Sequence, residues 1–492
     1  MPSPIIKRRR FLSSLFVIFI LSCCKKFTKS DLSSNSPNKG DSNTSPSADY
    51  LGEYNVTELA NGAYTLPAYF DLLTCGYSDK ISYQPGDAVT LYLTGPKNDN
   101  KTIFLTDADN SEVFSFPTTI APQQMNAPKP WVDGYSFTKS VTVNLPRNLK
   151  SGYYKWKLGD IVHEVIPLIC KKDVSLVSDI TVIYPSNTDN AYNLGGGKSL
   201  YFGPELTNRS TVASFSRYSL YPGDWTSSFL KWMNLQDYNV NYLADTDLEK
   251  YEYIQNSKVV IVIGHSEYWT RQARENIDKF VDSGKNLLVL SGNTMWWQMR
   301  YNEKKNLMIC YKDTGLDPLS NTLYETKNWP QSSLNYSTIK SIGVDWNGGG
   351  YANKLTNRWN GFKIVNEKSP LFKGTGLQNG DILKLPSIEV DGAPVVKMIL
   401  PGSDEVPVID NSRLNFNKVE LLAYDFATDG PEANGLGTFI VFKKTQSSGT
   451  VVNVATMNWC SPTGMGGDDG LKIQTITKNM IDRSLNNESL LT

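Results

Sequence analysis

Histidine is nearly missing from this sequence: 492 residues hold two, His163 and His265, beside 26 tyrosines. That count excludes zinc sites built from three histidines and the H-E-x-x-H helix. Any metal site must therefore rely mainly on oxygen donors. Cysteine is sparse as well, with six in all and no C-x-x-C pair, so zinc ribbons and thioredoxin-type redox sites have no support. Neither charge sign is in excess, 49 Lys+Arg against 49 Asp+Glu, which removes the electrostatic footprint of a general nucleic-acid binder. The apolar run Phe11–Leu21 is too short to cross a hydrocarbon core about 30 Å thick. What remains is a globular composition, 40% hydrophobic and 20% charged, in a chain long enough for roughly two or three domains.

The N-terminus reads as an export signal. Lys7, Arg8, Arg9 and Arg10 precede the apolar stretch, and Ile20-Leu21-Ser22-Cys23 resembles the bacterial lipobox, in which the cysteine is lipidated after cleavage. The expectation is a signal peptide over 1–22, then a tether over 23–52 rich in Ser, Asn, Lys, Asp and Pro, too polar to offset the entropy of ordering. A lipid anchor through Cys23 would hold the mature protein on the membrane of a bacterial cell envelope. Cleavage also removes the four cations, so the neutral precursor yields a slightly acidic mature chain. Four cysteines remain, Cys75, Cys170, Cys310 and Cys460. Cys75–Cys170 and Cys310–Cys460 are possible disulfides, and buried free thiols fit equally well.

Two rhythms divide the rest. Over 53–172 short runs rich in β-branched and aromatic residues, such as Ala88-Val-Thr-Leu-Tyr-Leu and Tyr153-Tyr-Lys-Trp-Lys-Leu, are separated by Pro85-Gly86-Asp87 and Ser151-Gly152, which predicts an immunoglobulin-like β-sandwich. From 173 to 492 strand and helix alternate. Strands are expected at Asp179–Tyr184, Asn239–Leu243, Lys258–Ile263 and Asn286–Leu290, and helices at Trp225–Leu235, Asp247–Ile254 and Thr270–Ser283. Another helix is expected after Thr294, and a last one over Gln474–Leu485. This is a doubly wound, Rossmann- or flavodoxin-like (glutamine-amidotransferase-like) α/β pattern. Residues 310–420 are less periodic and read as a large insertion.

Ligands of an open α/β sheet bind beyond the carboxyl ends of its strands. Ser186–Asn193 follows the first strand, Gly264-His265-Ser266-Glu267-Tyr268-Trp269 ends the third, and Ser291-Gly292-Asn293 ends the fourth. His265, Glu267 and Asn293 thus converge on one crevice. Each also has a structural reading: a satisfied core histidine, a carboxylate capping the next helix, a turn asparagine. Tyr192, Tyr201 and Tyr268 read first as core or surface aromatics. No G-x-S-x-G elbow is present, and Tyr192 stands where a P-loop ending at Lys198-Ser199 would need its first glycine.

The segments Ala191-Tyr192-Asn193, Gly196-Gly197-Lys198-Ser199, Gly264–Trp269, Ser291-Gly292-Asn293 and Thr456-Met-Asn-Trp459 resemble the C-terminal domain of the N,N-dimethylformamidase large (beta) subunit family, and Ser151-Gly152-Tyr153-Tyr154 resembles its upstream β domain. The resemblance implies hydrolysis of a small amide at a mononuclear, ferric iron held by two tyrosines and a glutamate. Glu267 and Tyr192 match two of these ligands. Tyr154, with Tyr153 as the alternative, matches the third, and His265 and Asn293 match substrate-facing positions. Phenolate and carboxylate oxygens suit a hard ferric ion. The implied partners are a small amide and, with no nucleic acid, a homo-oligomer or small partner subunit. Two further readings stand beside it: a non-catalytic surface lipoprotein that binds carbohydrate or another ligand, favoured by eleven tryptophans, and a hydrolase without metal.

Overall fold

The computed structural model describes residues 74–492 apart from 125–126, 160–163, 202–208, 220–222, 313, 353–358 and 429–433. The leader, Cys23 and the tether lie outside the described residues, as does His163.

The N-terminal part consists of two sheets. Cys75–Ser78, Ala88–Thr94 and Val141–Asn144 form one; Ser82–Tyr83, Val165–Cys170, Gly152–Lys157, Asp99–Thr106 and Glu112–Ile120 form the other. In Ala88–Thr94 burial alternates residue by residue, so Val89, Leu91 and Leu93 face inward and meet Ile103, Leu105, Trp156 and Leu168. A strand's period of two, applied to β-branched residues, accounts for this core.

The remainder is built on one mixed nine-stranded sheet. Its strands are β1 (Ile180–Tyr184), β2 (Val240–Ala244), β3 (Val259–His265), β4 (Asn286–Gly292), β5 (Phe362–Ile364), β6 (Ile382–Leu383), β7 (Lys418–Ala427), β8 (Gly435–Lys443) and β9 (Thr450–Asn453). They lie in the order β2-β1-β3-β4-β9-β8-β7-β5-β6. The first five are parallel and the rest antiparallel. Every residue of β3 is buried. Val259, Ile261 and Ile263 face one core, Val260 and Val262 the other, which is why the strand reads as an unbroken apolar run.

Helices cover both faces. Four of them, α1 (Ser186–Tyr192), α2 (Ser227–Asn234), α3 (Arg271–Asp282) and α4 (Gly470–Leu485), punctuate the alternation. Phe229 and Met233 of α2 and Ile473, Ile476 and Met480 of α4 pack on one face, and Ile277, Phe280 and Val281 of α3 on the other. Thr270 caps α3 by accepting from the Ala273 N–H. The two parts meet where Tyr153 stacks on Tyr184 and Ser151 Oγ accepts from the Tyr242 N–H.

Three expectations are corrected. Asp247–Ile254 is not an α-helix but 3-10 turns over Asp245–Glu249 and Tyr251–Tyr253, because the Asp247 carboxylate folds back on the Ala244 N–H. No helix begins directly after Thr294. The Trp296 and Trp297 N–H groups donate to the Glu267 carbonyl, and Trp297–Gln298 pairs with Tyr268–Trp269 instead. Residues 310–420 are more than an aperiodic insertion: they supply β5 and β6 to the sheet and a separate strand, Glu389–Gly392. Cys75, Cys170, Cys310 and Cys460 are all free and buried, so neither disulfide forms. Among the described residues no helix is long and apolar enough to cross a membrane.

Candidate active site at the ends of the parallel strands

The ends of β3 and β4 and the helix that follows β1 bring their residues into one buried cluster. β3 could not do so without Gly264. Its φ is +73°, and a Cβ there would lie 2.5 Å from Thr226 Cγ2, so only glycine turns the strand end in this space. His265 and Glu267 follow. At the end of β4, Asn293 takes φ +48°, a left-handed conformation that asparagine tolerates. Tyr192 ends α1, the helix after β1. The loop beyond it is fastened by the buried Arg217 guanidinium, which donates to the carbonyls of Asn190, Asn193, Gly195 and Lys198.

The Tyr192 hydroxyl donates to Glu267 Oε2 at 2.8 Å. The Glu267 N–H donates to Thr188 Oγ1 at 2.9 Å, which ties the carboxylate-bearing turn to α1. His265 Nε2 stands 3.6 Å from Glu267 Oε2 and 3.4 Å from Glu389 Oε2, and closes a well-formed hydrogen bond with neither. Asn293 Nδ2 donates to the same Glu389 Oε2 at 2.9 Å. The Thr294 N–H donates to Asp391 at 3.1 Å. Tyr192, His265, Glu267, Asn293 and Glu389 are all buried.

Burial and neighbouring charges perturb Glu267, Tyr192, His265 and Asp391. Burial raises the Glu267 carboxyl above its ordinary value, opposed by His265 and Lys312. Burial and the Glu267 charge hold the Tyr192 phenol well above its usual range. For His265, burial favours the neutral ring, but Glu389, Glu267 and Asp391 outweigh it and the net shift is upward. Burial lifts Asp391 strongly and Asp189 to about 7. Such clustering of displaced carboxyls around one imidazole is what proton-transfer chemistry needs.

Four expected residues, His265, Glu267, Asn293 and Tyr192, are brought together. Tyr154 is not. Its hydroxyl donates to the Lys150 carbonyl at 2.9 Å and its ring belongs to the sandwich core. Tyr153, the alternative, stacks across the boundary on Tyr184, whose hydroxyl donates to Asp189 at 2.5 Å. Neither hydroxyl bonds to Tyr192 or Glu267. The two carboxylates that complete the crevice, Glu389 and Asp391, were missed. They lie two apart on one face of a four-residue strand, and that acidic i, i+2 spacing was the one available signal.

Among the described residues no group of three His, Cys, Asp or Glu could hold a metal ion. Phenol oxygens change that inventory. Tyr192 Oη and Glu267 Oε2 are 2.8 Å apart, roughly the separation of two oxygens at right angles on a cation binding at about 2.0–2.1 Å. Several nearby buried atoms, Tyr268 Oη, His265 Nε2 and Asn293 Oδ1, have no hydrogen-bond partner among the described residues. Such atoms call for a ligand or water. Tyr192 and Glu267 therefore fit a hard cation; the sandwich tyrosine does not join them.

A family model described as "N,N-dimethylformamidase beta subunit-like, C-terminal" matches residues 107–468. No curated protein matches. Solved structures share only remote similarity. A β-galactosidase from Bacillus circulans sp. alkalophilus is 11% identical with TM-score 0.32, over 62% of this chain and 31% of that one. A ThuA-like protein from Bacteroides uniformis is 13% identical with TM-score 0.28, over 62% and 90%. This chain thus spans about a third of that β-galactosidase's length.

Proposed function

The chain belongs to the N,N-dimethylformamidase beta subunit-like family, and on that premise we propose that it hydrolyses the C–N bond of a small amide. The observation that carries this reading is the buried contact of Tyr192 with Glu267 beside His265, Glu389 and Asn293.

In this reading Tyr192 and Glu267 would hold a mononuclear ferric ion, which would supply Lewis acidity toward an amide carbonyl. The side chains do the rest. His265, suspended between two carboxylates, takes the proton of the attacking water as its oxygen adds to the carbonyl carbon, and returns a proton to the nitrogen as the C–N bond breaks. Glu389 lies 3.4 Å from the imidazole and holds Asn293, whose amide would stabilise charge on the carbonyl oxygen. Burial excludes competing solvent and strengthens each of these interactions.

The parallel half of the sheet, in the order β2-β1-β3-β4-β9, supports a flavodoxin-like doubly wound core, and the two-sheet N-terminal part supports an immunoglobulin-like module. The leader and Cys23 support an exported, lipid-anchored protein of a bacterial envelope.

Elemental analysis of the purified chain tests the metal. About one iron per chain is expected in the unaltered protein and almost none in Tyr192→Phe, while Tyr424→Phe, whose hydroxyl bonds the Glu405 carbonyl instead, retains it. Iron absent from the unaltered chain would sink the metal reading. A second measurement addresses the acid–base group. Glu389→Gln should keep its iron but lose turnover of small N-alkyl amides by about 100- to 10,000-fold; a loss of less than threefold would remove Glu389 from the mechanism.

A further inference from the structure

A lysine is enclosed in this crevice. Lys312 follows the strand Leu307–Ile309 and is 5% exposed. Its ammonium lies 4.8 Å from the ring centroid of Tyr201, 4.8 Å from that of Trp297 and 5.4 Å from that of Tyr268. Three aromatic faces around one cation form a cage that holds the charge in place. Tyr201 in turn stacks on Tyr192 with centroids 4.5 Å apart and planes at 22°, and Tyr268 meets Tyr192 edge-on at 6.4 Å. Two of the three cage walls therefore touch the phenol that donates to Glu267.

The backbone shows a matching specificity. Lys312 has φ +57°, a left-handed conformation uncommon for a long side chain. Its charge also acts on the Glu267 carboxyl, alongside His265 and Glu389. The strained backbone and the ring cage together deliver one ammonium to the Tyr192–Glu267 pair.

We propose that Lys312 is a positioning residue whose caged charge sets the electron demand of the metal held by Tyr192 and Glu267. One phenolate and one carboxylate would leave a ferric ion with a single net positive charge, and a fixed cation beside them would add to it. The centre is then a stronger acceptor toward a carbonyl oxygen, and its ferrous form is favoured relative to a site without the lysine. A unit charge buried beside such a centre acts through an effective dielectric of about 20 rather than that of water, enough to shift a one-electron equilibrium by roughly tenfold.

This inference rests on the metal reading above, and its test separates the two. The iron-loaded protein is titrated electrochemically as the unaltered chain, Lys312→Met, Lys312→Gln, Lys312→Arg and the surface control Lys478→Met, with folding checked by circular dichroism. The two neutral variants should bind iron yet favour the ferric state by about tenfold or more, a fall of about 59 mV. Lys312→Arg should restore the unaltered value, and Lys478→Met should leave it unchanged. A merely structural lysine would lower stability without moving the potential. Iron-bound neutral variants with potentials equal to the unaltered chain would overturn the role of Lys312 while leaving the metal reading intact. Loss of iron from folded neutral variants would overturn it too, since removing a cation should strengthen ferric binding. Absence of iron from the unaltered chain would bring down both.

Discussion

Glu267→Gln should leave a folded protein with almost no turnover. Glutamine keeps the shape of glutamate and an oxygen that can accept from the Tyr192 hydroxyl, the contact now made at 2.8 Å. It cannot act as an anionic oxygen donor, and it removes one of the two carboxylates flanking His265. A loss of transition-state stabilisation of roughly 4 kcal/mol, about 1,000-fold in kcat, is the scale for removing one such group. Bound iron should fall with it. Stability should move the other way. The folded-state pKa of Glu267 is raised by burial, so above the unfolded value the folded chain binds more protons there than the unfolded chain, and stability declines as pH rises through that window. Glu267→Gln removes the decline. Thermal melts from pH 4 upward should show the variant matching the unaltered chain at the acid end and exceeding it at neutral pH. Substantial residual turnover, or a variant that melts well below the unaltered protein throughout, would contradict a functional role for this carboxylate.

How much of this arrangement was legible depends on where each residue sits. The unbroken apolar run of β3 announces a strand covered on both faces, and the residue types after β1, β3 and β4 place Tyr192, His265, Glu267 and Asn293 at one rim. Gly284, just past the end of α3, takes φ +94°, the left-handed conformation that closes a helix and that glycine favours. Tyr154 lies apart from Tyr192 and Glu267 for a reason that strand parity explains. Side chains two apart on a strand share a face, and Trp156 is an obvious core residue, so Tyr154 belongs inside the sandwich and Tyr153 outside it. Apart from the i, i+2 spacing of Glu389 and Asp391, these residues and Lys312 are hard to read because the elements that carry them are short: four residues for the strand, and a turn after a three-residue strand for the lysine. Segments of that length show no period, and only tertiary contact decides their conformation.

Arg300→Met should be the most destabilising of the single changes considered. Arg300 and Asp317 form a bidentate pair, Nη1 to Oδ2 and Nη2 to Oδ1, both at 2.9 Å, with 4% and 2% of their side chains exposed. The same carboxylate accepts from the Thr326 N–H at 2.7 Å, the Thr326 hydroxyl at 2.6 Å and the Leu319 N–H at 2.9 Å. Thr326 Oγ1 then accepts from the N–H of Tyr311, the residue before Lys312. The pair therefore fastens the segment that presents Lys312. Removing the guanidinium strands a buried carboxylate, which costs about 3–5 kcal/mol, whereas replacing both partners by apolar residues costs far less. Urea unfolding at pH 7 should accordingly rank Arg300→Met as the least stable and the double variant Arg300→Met/Asp317→Leu as partly restored. The pH dependence carries the sign. Burial alone would raise the Asp317 pKa, but its bonds to Arg300 and Thr326 hold it below the ordinary carboxylate value. Its stabilisation is thus complete above the unfolded pKa and disappears as pH falls through the lower folded value. Asp317→Asn should lack that acid-side loss, so the gap between it and the unaltered chain should narrow below pH 4. Should Arg300→Met unfold at the same urea concentration as the unaltered protein, this pair would be ornamental and the Lys312 segment would be held by other contacts.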